Sequence, residues 1–66
     1  MEYSKADFIE AKRQIDSTLH KLRETIKSLE SKENPAKYKS QITLAKRRVT
    51  AFEIAVELIE KEIEII

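Results

Sequence analysis

The sequence has 66 residues, 41% apolar and 38% charged, with 13 Lys or Arg against 12 Asp or Glu for a net charge of +1. That length suits one small domain, and the near-zero net charge exerts no bulk pull toward nucleic acid or an anionic membrane. With no cysteine and no glycine, a disulfide framework, a thiolate metal site and a glycine-rich phosphate loop are excluded.

The N-terminal segment alternates charge and has no apolar core, so no signal peptide is expected. No apolar run approaches the roughly 18 residues that a membrane span needs. A soluble, cytoplasmic protein is the resulting expectation. A chain of this size buries a thin core and is marginal without a staple. Oligomerisation is the route that this composition leaves open.

A first helix is expected over about residues 4–32. Ser4 is a good N-cap, and Asp7 lies in the first turn, where a carboxylate favours the helix dipole. Tyr3 and Phe8 occupy the N′ and N4 positions of a hydrophobic staple. An apolar stripe follows through Phe8, Ile15, Leu19, Leu22, Ile26 and Leu29. Lys5 and Lys12 stand at the seam positions where the stripe lapses. A turn is expected at Glu33 and Asn34, because a residue before proline is pushed out of the helical region. Asn34 is also a preferred N-cap and Pro35 suits the first helical position, so the second helix is expected over about residues 35–65.

That second helix carries the strongest pattern in the chain. Tyr38, Ile42, Ala45, Val49, Phe52, Val56, Ile59, Ile63 and Ile66 are spaced alternately by four and three, an unbroken heptad seam. Beside it, rotated by roughly 100°, runs a second seam: Leu44, Arg48, Ala51, Ala55, Leu58, Glu62 and Ile65. Two adjacent seams require two partners. A short turn makes the first helix one of them, as an antiparallel neighbour. Numbering symmetry fits: Phe8 with Ile59, Leu22 with Ala45 and Leu29 with Tyr38 each total 67, and Ile26 with Ile42 totals 68. The expected fold is therefore all-α, a single antiparallel two-helix hairpin over residues 1–66. The unsatisfied second seam implies that it dimerises into a four-helix bundle.

Charge is uneven along the second helix. Lys37, Lys39, Lys46, Arg47 and Arg48 lie in its first half, and Glu53, Glu57, Glu60, Glu62 and Glu64 in its second. Acid near a helix C-terminus opposes the dipole. Lys5 and Lys12, brought alongside by the hairpin, are expected to compensate.

Little chemistry is expected. His20, the single histidine, follows the seam residue Leu19 and should face solvent. Glu53, Glu57, Glu60 and Glu64 share a helical face, but no Glu-x-x-His accompanies them as a bundle metal site requires. Arg13, Gln14, Ile15 and Asp16, with Leu19 and Leu22, resemble the first helix of the all-helical chorismate mutases over about a dozen residues. That family's downstream arginine and lysine pattern has no counterpart here. The expectation is no enzyme, no cofactor and no metal.

Two surfaces remain. On one flank Ala11, Thr18 and Thr25 of the first helix adjoin Leu44, Ala51, Ala55, Leu58 and Ile65 of the second, a small-residue and apolar strip suited to self-association. On the other, Arg13, His20, Arg23 and Lys27 join Lys39, Lys46 and Arg47 in a basic band. In size and outline the chain is similar to the Rop family of plasmid copy-control proteins, helical hairpins that dimerise and bind RNA hairpins. This resemblance is one of architecture and carries over no functional residue. The expected function is a small non-enzymatic regulatory or interaction protein, a homodimer with a protein partner. The alternative is a nucleic-acid-binding regulator that uses Arg13, Arg23, Lys27, Lys39, Lys46 and Arg47 on phosphates.

Overall fold

The computed structural model describes residues 2–66. The chain forms an antiparallel hairpin of two long helices, α1 (Lys5–Glu30) and α2 (Lys39–Ile65), with a single 3-10 turn at Pro35–Tyr38 between them. The hairpin is an elongated rod of 48 × 18 × 15 Å.

The start of α1 is fixed by a complete capping box. The Asp7 amide donates to Ser4 Oγ at 3.2 Å, and the Ser4 amide donates to Asp7 Oδ2 at 2.9 Å. Each side chain thus satisfies an amide that the helix start would otherwise leave open. The rings of Tyr3 and Phe8 meet edge to face with centroids 6.1 Å apart, completing the expected staple.

The turn differs from expectation. α1 stops at Glu30, and the amide of its C-cap, Ser31, donates to the Lys27 carbonyl. Asn34 is outside the helical region, at φ −127° and ψ 76°, as its place before proline favours. Its side chain makes no capping hydrogen bond; its backbone carbonyl instead accepts from the Lys37 amide at 3.1 Å. Pro35–Tyr38 is therefore a separate tight turn, and α2 begins four residues later than Pro35.

Tyr38 of the 3-10 turn and the seam residues of α2 from Ile42 to Ile63 are all buried or half-buried, as are Phe8, Ile15, Leu19, Leu22, Ile26 and Leu29 of α1. Ile66 departs from this pattern: it lies past the end of α2 and is 54% exposed. Among the described residues only Leu19 and Ala45 are buried outright, at 4% and 6% exposure, and no side chain is fully enclosed. Two helices have one shared face, so most seam residues keep an edge in solvent.

Among the described residues three ion pairs cross the hairpin: Lys12–Glu60, Arg23–Glu53 and Lys46–Glu30. Their residue numbers total 72, 76 and 76, above the 67–68 expected for facing residues. Two causes act in the same direction. Side chains lean toward the N-terminus of their own helix, so long partners meet from Cα positions displaced C-terminally. In addition, Pro35–Tyr38 occupies the turn instead of forming the first turn of α2.

Candidate interaction surfaces

The ion-paired flank neutralises most of the expected basic band. Arg23 holds Glu53 at 2.8 Å and Lys46 holds Glu30 at 3.2 Å across the hairpin. Arg13 holds Glu10 at 2.8 Å and Lys27 approaches Glu24 at 3.8 Å within α1. Of the six band cations proposed for phosphate contact, only Lys39 and Arg47 lack an ion pair among the described residues. At the other four a phosphate would compete with a carboxylate already in place. His20 is exposed, as expected.

Hydrogen bonds from Arg13 and then Gln14 hold the Glu10 carboxyl below the ordinary glutamate range, and its attraction to Arg13 acts in the same direction. The same contact raises Arg13. Lys12 is raised chiefly by its hydrogen bond and attraction to Asp16, 2.9 Å away, and secondarily by Glu60. Lys12 therefore offsets acid near the end of α2 as expected, whereas Lys5 forms no ion pair among the described residues. Glu53, Glu57 and Glu60 are each engaged by a cation, and no group of three or more described acidic or histidine side chains is placed to hold a metal.

The opposite flank has another character. Thr18 and Thr25 donate their hydroxyls to the Gln14 and Lys21 carbonyls of their own helix, at 3.1 and 2.9 Å. Their polar demand is met internally, which leaves methyl groups to cover the flank. On α2, Leu44, Ala51, Leu58 and Ile65 are exposed, while Ala11 and Ala55 are half-buried between the helices. Leu44 is 48%, Leu58 61% and Ile65 78% exposed. No described ion pair crosses this flank.

Ile54, 55% exposed, belongs to the same surface and was not among the residues expected there. It sits three and four residues from Ala51 and Leu58, so it widens the strip by one row. Its signal was its spacing from the second seam, masked because it belongs to neither seam. Ile9, 50% exposed, is also apolar, but it lies on α1 four residues before the ion-paired Arg13.

At the turn, Lys32, Glu33, Asn34, Lys37 and Tyr38 surround an open hollow, and two further hollows lie along the rod. Near the turn, Thr25 of α1 and Gln41, Leu44 and Arg48 of α2 line a groove of about 220 Å³. At the open end, Tyr3, Phe8, Ala11 and Ile59 line an apolar notch of about 300 Å³. Both are shallow openings between two helices, and neither gathers reactive groups.

No helix among the described residues is long and apolar enough to cross a membrane. No family model matches the chain, and no curated protein or solved structure is significantly similar to it.

Proposed function

We propose that this chain is a non-enzymatic interaction module that self-associates, as a dimer, through the outer face of α2. The observation that carries the reading is the row Leu44, Ala51, Ile54, Leu58 and Ile65, exposed along a single face of one helix. Scattered surface leucines need no explanation, but apolar residues aligned on one face over about six turns do.

The surface area supports it. The hairpin exposes 5363 Å². A compact monomer of 7.7 kDa would expose about 4,300 Å². The excess, about 1,000 Å², is comparable to the roughly 800 Å² that each partner contributes to an ordinary specific interface. Such a module regulates by presenting its paired helices to another protein, in a cytoplasmic setting consistent with a cysteine-free composition. Self-association is favoured over phosphate contact because four of the six band cations already hold carboxylates.

The test is Ala51→Glu. Ala51 is exposed in the hairpin, so on a monomer this change should cost at most about 0.5 kcal/mol. In a dimer it buries a charge against apolar neighbours. The expected result is loss of the dimer in sedimentation with helix content retained. A variant that associates like the wild type would overturn the reading.

A further inference from the structure

Charge along α2 adds an orientation to its apolar strip. Between Lys39 and Phe52 the helix carries Lys39, Lys46, Arg47 and Arg48 and no acid. Between Glu53 and Ile65 it carries Glu53, Glu57, Glu60, Glu62 and Glu64 against the single Lys61. The helix is basic at its N-terminal end and acidic at its C-terminal end, the reverse of what its own dipole favours. The hairpin relieves part of this through Lys46–Glu30, Arg23–Glu53 and Lys12–Glu60. On α2, Lys39, Arg47, Arg48, Glu62 and Glu64 are left without an ion pair among the described residues, and Arg48 and Glu62 are the two of these that share the row of Ala55.

Their positions are symmetric. Arg48 lies seven residues before Ala55 and Glu62 seven residues after it, two helical turns either way on the same row. Small residues, Ala51 and Ala55, occupy the centre. Leu44 and Ile65 lie outside the two charges.

We infer that α2 packs against α2 of a second copy in antiparallel orientation, about a two-fold axis near Ala51 and Ala55, with Arg48 of each copy paired to Glu62 of the other. This deepens the self-association proposed above and rests on it. A two-fold antiparallel pair brings each basic end to the partner's acidic end and opposes the two helix dipoles. It makes every contact twice, as a two-fold interface must. A parallel pair would set Arg48 against Arg48 and Glu62 against Glu62. The alanines let the backbones approach closely at the crossing, and Leu44, Leu58 and Ile65 of each copy cover the charges' aliphatic stems on either side. The acidic C-terminal half of α2, unfavourable in the isolated hairpin, thereby acquires a structural reason.

The test is charge exchange measured by sedimentation equilibrium on the full chain. Arg48→Glu alone and Glu62→Arg alone each replace two attractive contacts per dimer with two repulsive ones. Each should weaken self-association by about tenfold or more, the scale of several exposed ion pairs. The double variant R48E/E62R should restore it, and an equimolar mixture of the two single variants should associate as a mixed dimer. Single variants that self-associate like the wild type would overturn the antiparallel pairing, as a parallel dimer predicts. Weakened singles with no recovery in the double variant would also overturn it, pointing to packing of α2 against α1 of the other copy. In both cases a dimeric wild type leaves self-association standing, whereas a monomeric wild type overturns both.

Discussion

Leu58 offers the most quantitative probe of the outer face of α2. It is 61% exposed in the hairpin, so burial against a partner would remove that fraction of its surface from water. Full burial of a leucine side chain contributes about 1.5–3 kcal/mol. The exposed share is then about 0.9–1.8 kcal/mol per copy, or roughly 2–3.5 kcal/mol for a dimer that uses the residue twice. That corresponds to a loss of about 20- to 400-fold in dimer affinity on removal of the side chain's apolar end. Leu58→Gln is a suitable change because glutamine is a good helix former and leaves α2 intact. Sedimentation equilibrium over a concentration series gives the dissociation constant of each protein. A variant within about twofold of the wild type, about 0.4 kcal/mol against the roughly 2 kcal/mol or more that such burial supplies to the dimer, would refute the assignment of Leu58 to the interface.

Four further outcomes follow from the hairpin itself. Leu19→Ala should cost about 2–3 kcal/mol in chemical denaturation, the low end for a buried leucine because the thin core lets solvent refill the gap. Ser4→Ala should cost about 1 kcal/mol and speed amide exchange in the first turn of α1, where Asp7 loses its capping partner. The Glu10 pKa is depressed in the folded chain, so its stabilisation is present above the unfolded glutamate pKa and is lost as pH falls through the lower folded value. Glu10→Gln should accordingly lessen the acid-induced loss of helicity seen by circular dichroism; an unchanged acid limb would contradict the Arg13 contact. Finally, Arg23→Ala with Arg47→Ala should leave retention on an RNA or DNA column at low salt unchanged, and a strong, salt-steep loss of binding would revive the nucleic-acid alternative.

The hairpin was legible because both helices repeat their apolar residues at the seam period, and Pro35 forces a break between them. The period reports which face of each helix is buried, but it does not fix the axial offset between them. That offset depends on how the turn is built, and Asn34-Pro35 is equally compatible with an α-helix start and with the 3-10 turn observed. The ion pairs were less legible for the same reason. Arg23 and Glu53 carry no local signature of one another, and their contact depends on register and on the lean of long side chains. Asp16, Glu24 and Glu30 interrupt the basic band in the sequence, and Glu24 and Glu30 do pair with its cations; Glu53, from the acidic half of α2, joins them only through the hairpin register. Ser4 and Asp7 did signal the start of α1, although the spacing encodes a reciprocal capping box as well as a dipole contact. Ile54 escapes a heptad reading because such a reading looks along seams and overlooks a row beyond the second one. Ile66 was overcounted because the pattern continues one residue past the helix that supports it.

Self-association itself is decided by the mass of the wild-type chain in solution. Sedimentation equilibrium of the wild-type protein, carried through the micromolar range, should give twice 7.7 kDa with a concentration dependence that fits a monomer–dimer equilibrium. A protein that remains at 7.7 kDa into the high micromolar range would contradict the claim that the outer face of α2 is covered by a second copy.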